Sequence, residues 1–259
     1  MSNVVLQRFD KIATITMNRV EKRNALSYNM VTDLLNAFSE VASDDEIRCV
    51  VLTGAGSAFS AGADLDALQK LSSATKEENK ADSVHLAKLF KTIYTFPKIV
   101  IARISGHAIA GGSGLAAVCD FAIASEDAKM GFTEVRIGFV PAIVMIFVLR
   151  KLREADARDV LLRGRLISSG EAADMGLINL SVPSDELDDT VSALAEELST
   201  MTSSQSIVRT KALMARIPSM SLDDALDLAA DENAEARSTE DCLAGIAAFL
   251  DKKTPPWQG

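Results

Sequence analysis

The chain of 259 residues is 48% hydrophobic and 24% charged, proportions that suit one large soluble domain, with or without a helical appendage, and exclude disorder or a collagen-like structure. Its 27 Lys and Arg against 36 Asp and Glu leave a net charge of −9. The mean field therefore repels nucleic-acid backbones and anionic membranes, leaving room only for a local basic pocket that takes a small anion.

The opening MSNVVLQRFDK lacks the basic and apolar regions of a secretory leader, so a cytoplasmic location is expected. Residues Val4 to Phe9 and Ile12 to Met17 read as two strands joined by a tight turn at Asp10 and Lys11. Ser27 heads an amphipathic helix through about Val41, and Ile47 to Thr53 is a β-branched strand running into the small-residue loop GAGSAFSAGADL. Helical pattern runs from Lys76 to Thr95, and Ile99 to Ile104 is a core strand followed by GHAIAGGSGLAAVCD. Short strands near Phe121 to Ala124 and Lys129 to Phe132 extend a repeated strand-then-helix plan, which predicts an α/β fold with parallel pairing. The run Ala142 to Leu149 is far below the ~20 residues of a membrane span and reads as a buried helix. Beyond a short apolar run at Leu177 to Val182, the segments Asp185 to Leu198, Ser204 to Met214, Leu222 to Arg237 and Thr239 to Leu250 predict a helical layer. Pro255 and Pro256 predict a loose tail. Cys49, Cys119 and Cys242 are odd in number and far apart, against a disulfide framework or a CxxC metal or redox site.

Two glycine-rich places, Ala61-Gly62-Ala63-Asp64 and Gly111-Gly112-Ser113-Gly114, lie just past predicted strand ends and open helices. That edge of an α/β sheet is where ligands bind, and first-turn N–H groups have no internal acceptor. Two such donors converging on one oxygen suit a carbonyl that becomes an enolate; plain turns are the competing reading. The spacing of AGGSGLA fits neither the dinucleotide fingerprint nor a P-loop. Glu134, alone among apolar and small neighbours, is the candidate general acid or base, because burial raises a carboxyl pKa. An ion pair with Arg136 is its structural alternative. His85 and His107 have no partner at metal spacing, Ser60 and Ser113 lie outside GxSxG, and Asp64 and Asp120 read as helix caps or backbone acceptors. KEENK reads as a solvated helix face.

Together these segments resemble the crotonase (enoyl-CoA hydratase/isomerase) superfamily along nearly the whole chain. NRVEKRNALS is similar to the family's first segment, with Val20 where proline is usual; FSAGADL, GHAIAGGSGLAAVCD, AKMGFTEVRIGFVP and LLRGRLISSGEAADMGLIN resemble its later ones. The resemblance implies a superhelix of ββα turns with a C-terminal helical trimerisation region, divided here as 1–198 and 199–259, and assembly as a homotrimer or homohexamer. It implies a substrate carried as a coenzyme A thioester, with no separate cofactor and no metal. On this resemblance the oxyanion donors fall on Ala63 and Gly111, the catalytic carboxylate on Glu134, and further substrate contacts on Ala61, Gly62, Asp64, Gly112 and Gly114. Adenine would lie near the Ala61 to Gly62 backbone, with Lys22 or Arg23 meeting the phosphates.

One departure bears on the reaction. Hydratases with two glutamates place the second three residues beyond the oxyanion glycine, where this chain has Gly114. The leading expectation is an enoyl-CoA hydratase-type lyase working through a single glutamate. The alternatives are a 3-enoyl-CoA to 2-enoyl-CoA isomerase and a non-catalytic member that binds acyl-CoA or RNA, the RNA form being disfavoured by the charge.

Overall fold

The computed structural model describes residues 3–71 and 73–258. Strands β1 (Val4–Phe9) and β2 (Ile12–Met17) form the expected hairpin, with Asp10 at φ 51 in its turn. The chain continues through α1 (Tyr28–Ala42), β3 (Cys49–Gly54), β4 (Ala58–Ser60), α2 (Leu65–Leu71), α3 (Lys76–Tyr94), β5 (Ile99–Ile104), β6 (His107–Ile109) and α4 (Gly111–Val118). It then runs through β7 (Phe121–Ser125), β8 (Lys129–Gly131), α5 (Ala142–Lys151), α6 (Glu154–Arg163), β9 (Ile167–Ser168), α7 (Ser169–Asp174) and β10 (Leu180–Val182). Four helices close the chain: α8 (Leu187–Thr200), α9 (Ser204–Arg216), α10 (Leu222–Ala236) and α11 (Glu240–Leu250). The division expected after residue 198 falls in the last turn of α8.

The strands make two sheets, one of six in the order β1-β2-β3-β5-β7-β10 and one of four in the order β4-β6-β8-β9. Only β1–β2 and β8–β9 pair antiparallel. Three times the chain crosses the large sheet, turns a corner into the small sheet and returns by helix, so β3-β4, β5-β6 and β7-β8 are successive turns of one superhelix. Both faces of the large sheet are covered, which is why β3 is buried at all six positions without alternation. On the inner face, Phe38, Phe59, Phe90 and Phe132 are fully buried, each contributing about 2 to 3 kcal/mol of burial free energy. On the outer face, Cys49, Val51, Ile101 and Ile123 meet Leu187, Val191 and Ala195 of α8.

Ser27 caps α1 by accepting the Met30 amide, and Thr75 with Glu78 forms a capping box on α3. At the far end of α4, Asp120 accepts the Val100 amide at 2.7 Å and pairs with Lys211 of α9, whose ammonium also donates to the Lys98 carbonyl at 2.7 Å. Lys211 is the one buried residue among α9, α10 and α11, so this polar anchor, together with Ile207 packed on the outer-face apolar cluster, fastens α9 to the core.

Two expectations are corrected. Helix α5 is only one-sided in its burial: Val144 and Val148 are buried, whereas Ile146 and Leu149 are 50% and 53% exposed. The tail is not loose, because Pro256–Gln258 forms a 3-10 turn that lays the Trp257 ring beside Gly245 and brings the Gln258 side-chain amide to the Met201 carbonyl. Proline stops α-helix continuation but is tolerated in a turn that asks nothing of its missing N–H. Among the described residues no helix is long and apolar enough to cross a membrane.

Candidate active site

Register explains why distant segments meet. β4 pairs with β6 (Ala58↔His107, Ser60↔Ala108) and β6 with β8 (Ala108↔Met130, Ile109↔Gly131), all parallel. The segments that follow these three strands therefore leave the same sheet edge side by side, the place where open parallel sheets bind ligands. They carry Ala61 to Asp64, Ala110 to Gly114, and Thr133 with Glu134. A cavity of about 280 Å³ opens there, closed on its other sides by α3 and by the stretch from Ile137 into α5.

The first loop is held from outside the sheet. Buried Asn24, in the NRVEKRNALS segment, donates to the carbonyls of Ala55 and Ala58 at 2.9 and 2.8 Å and accepts the Arg19 amide at 2.9 Å. The Ala61 amide donates to the Arg23 carbonyl, Gly62 donates to the Ser60 hydroxyl, and Leu26 donates to the Gly62 carbonyl. Asp64 caps α2 by accepting the amides of Asp66 and Ala67, and pairs with Arg19. Burial pushes its carboxyl up, but the bonds from Arg19 and the two amides outweigh that and hold it below the usual range.

Within this loop the Ala63 amide has no acceptor among the described residues, and neither has the Gly111 amide. Gly111 is the first residue of α4, whose opening donors face no preceding turn. It follows Ala110, which adopts φ 51 and ψ −119, gives its amide to the Gly131 carbonyl at 2.7 Å and accepts from Gly114 at 3.0 Å. An L-residue held in that region marks a backbone constrained on both sides. The two loops touch: a Cβ on Gly62, at φ +82, would stand 2.6 Å from the Ile109 carbonyl oxygen and 3.0 Å from the Gly111 nitrogen.

Glu134 opens a 3-10 turn, Glu134–Ile137, and its backbone carbonyl accepts the Phe139 amide. Its Oε2 is buried with no hydrogen-bond partner, and no ion pair joins it to Arg136 or any other described cation. Burial pushes its carboxyl up, with a backbone bond opposing. A half-buried carboxylate with one oxygen unpartnered, in the same cavity as two unclaimed amides, can move a proton next to an oxygen that gathers negative charge.

Of the residues expected here, Ala61, Ala63, Asp64, Gly111 and Glu134 line the cavity. Gly62, Gly112 and Gly114, expected against substrate, are not among the residues that line it, and each is packed closely against a neighbour. A Cβ on Gly112 would lie 2.2 Å from the Ser60 carbonyl oxygen, and one on Gly114 would lie 2.4 Å from Val144 Cγ1 and 2.7 Å from Phe90 Cε1. The space where a second carboxylate would begin is thus filled by apolar side chains from α5 and α3. Lys22 is engaged by Asp66 at 2.7 Å, while Arg23 is exposed with no ion pair among the described residues.

Ser60 donates to the Asn24 carbonyl, Ser113 bridges the Ala108 carbonyl and the Gly131 amide, and His107 accepts the Lys129 amide. His85 stacks on Tyr28. All four are structural, and among the described residues no three His, Cys, Asp or Glu side chains gather as a metal site. Sequence reasoning missed Asp82, Ser83 and Leu86 of α3 and Ile143 and Val144 of α5, all of which line the cavity. Their helical spacing was visible, but nothing local says which face meets a cavity.

Comparisons with known proteins identify the family. The family model described as Enoyl-CoA hydratase/isomerase matches residues 7–259. The chain is 43% identical to a Thermus thermophilus protein named "Putative enoyl-CoA hydratase", over 94% of this chain and 96% of that one. It is 32% identical to the crotonyl-CoA hydratase of Syntrophomonas wolfei, over 97% and 96%. Among solved structures it superposes on Pseudomonas aeruginosa AtuE with a TM-score of 0.94 at 31% identity, covering 99% and 100% of the two chains. For the enoyl-CoA hydratase of Mycobacterium smegmatis the TM-score is 0.93 at 29% identity, covering 99% of each. The fold is the crotonase superhelix, and the chain belongs to the enoyl-CoA hydratase/isomerase family of enzymes.

Proposed function

We propose that the protein hydrates 2-enoyl-CoA thioesters, with Ala63 and Gly111 as oxyanion donors and Glu134 as the single proton-transfer group. The observation that carries this reading is the presence, in one largely apolar cavity, of two amides without an acceptor among the described residues and of the Glu134 carboxylate, whose Oε2 is buried with no hydrogen-bond partner. The thioester carbonyl oxygen lies between the two amides. As water attacks C3, its O–C3 bond forms and the C2=C3 pair moves toward C1, leaving an enolate oxygen that both amides bind. Each such donor is worth about 3 kcal/mol in the transition state. Glu134 takes the proton released by the water and returns a proton to C2, so the ester gains H and OH and the carboxylate is restored. With Val144 and Phe90 closed over Gly114, no second carboxylate from α4 shares the task.

Arg23, exposed beside the first loop, is placed to meet a CoA phosphate, whereas Lys22 is already neutralised by Asp66. The exposed Leu222, Leu226, Leu243, Ile246, Phe249 and Leu250 of α10 and α11 support contact between copies in a trimer or a dimer of trimers.

The filled space at Gly114 also favours a second reading, isomerisation of a 3-enoyl ester, in which Glu134 removes a proton at C2 and returns it at C4. Incubation with crotonyl-CoA and with 3-hexenoyl-CoA separates the two. Loss of the conjugated-thioester absorbance of crotonyl-CoA with formation of the 3-hydroxy ester is the expected result. Migration of the 3-hexenoyl double bond without hydration of either ester assigns the chain to isomerisation, and tight binding of both with turnover of neither makes it a binding member.

A further inference from the structure

Three carboxylates line the cavity, Asp64, Asp82 and Glu134, and among the described residues no Lys, Arg or His does. They are not equivalent. Asp64 is neutralised by Arg19 and saturated by two backbone amides. Glu134 is the group that moves protons in the reading above. Asp82 is half-buried on α3 and forms no hydrogen bond or ion pair among the described residues. Leu86, four residues on, lies on the same helix face and also reaches the cavity. An isolated charge on the wall of a cavity otherwise built from Leu68, Leu86, Ile143 and Val144 contributes nothing to packing. Its field acts on whatever occupies the space.

We propose that Asp82 sets the acyl-chain selectivity of the site, excluding CoA thioesters whose acyl chain ends in a carboxylate and admitting those with an uncharged chain. This rests on the reading of the cavity as the thioester site. A terminal carboxylate drawn into this space leaves water, meets no cation, and faces Asp82 at close range. The first two conditions cost desolvation without compensation, and the third adds like-charge repulsion inside a medium that screens it weakly. An alkyl terminus meets neither penalty, since it replaces water over the apolar wall.

The test compares hexanoyl-CoA with adipoyl-CoA, which have six carbons each and differ by one terminal carboxylate. Binding is measured by titration calorimetry so that turnover plays no part. The wild-type protein is expected to prefer hexanoyl-CoA by about 100-fold, the scale of a close like-charge contact. Asp82→Asn is expected to narrow that ratio about tenfold, because it removes the repulsion and leaves the missing cation unreplaced. Equal affinity of the wild type for the two esters, or an unchanged ratio in a folded Asp82→Asn protein, overturns the role of Asp82 while leaving the thioester site intact. Failure of both esters to bind overturns the site itself and this proposal with it.

Discussion

Replacing Glu134 with Gln lowers kcat for crotonyl-CoA hydration by about 1,000-fold, within the range that a positioned acid or base supplies, while the dissociation constant of the ester changes little. The isosteric amide keeps the shape of the 3-10 turn and of the cavity wall but can neither take the proton from water nor return one to C2. The loss therefore falls on kcat rather than on ground-state binding. The pH profile adds a sign. Burial holds the Glu134 carboxyl above its usual 4.5, and the water-activating form is the deprotonated one. The acid limb of kcat/KM in the wild type accordingly lies above 4.5, with activity lost as pH falls through it. The residual rate of Glu134→Gln shows no such limb. Stopped-flow turnover and equilibrium binding on the same preparations check all three statements. Wild-type turnover in Glu134→Gln removes the residue from the mechanism.

Gly62→Ala is expected to damage both stability and turnover. At φ +82 an alanine pays the left-handed penalty, and its methyl would sit 2.6 Å from the Ile109 carbonyl oxygen and 2.9 Å from the Ala110 Cβ. Neither neighbour is the free end of a flexible side chain, so the two loops must move apart. Dihedral strain and overpacking together cost about 3 kcal/mol. The displacement separates Ala63 from Gly111, and the loss of one oxyanion donor costs about 100-fold in kcat. Gly176 supplies the control. It also sits at φ +82, but a Cβ there meets nothing within 4 Å. Gly176→Ala should lose only about 1 kcal/mol and leave turnover intact. Chemical denaturation with parallel assays distinguishes them; equal effects of the two substitutions would show that the contact between the loops carries no functional weight.

The parts of the fold legible in the sequence are those where one period dominates a long enough stretch. Ile99–Ile104 is a strand over the residues anticipated, the hairpin turns at Asp10, and the four closing helices lie within a few residues of their apolar spacing. Strands β4, β6 and β9 hold two or three residues each, too short for alternation to register. Of these, β4 and β6 are nonetheless the strands that bring the two loops together. The site was legible to the extent that small residues after strand ends mark where backbone approaches a ligand. Which of those glycines face the cavity and which face a neighbouring backbone was not legible, because Gly62, Gly112 and Gly114 are set by contacts with Ile109, Ser60 and Val144. Asp82 was hidden for a different reason: it follows closely on KEENK in a stretch that reads as solvated, and only the packing of α3 turns its face to the cavity. The partial exposure of α5 was hidden because an apolar run gives no indication of which side the rest of the chain covers.

The most direct measurement of the central claim is the carbonyl stretch of the bound thioester. Isotope-edited Raman spectra of crotonyl-CoA in complex with Glu134→Gln, where chemistry is slow, report the polarisation of the C=O bond without turnover. Two amide donors on the oxygen predict a stretch displaced to lower wavenumber than in solution, and displaced less in Gly62→Ala/Glu134→Gln. A bound carbonyl that vibrates at its solution frequency would contradict the account.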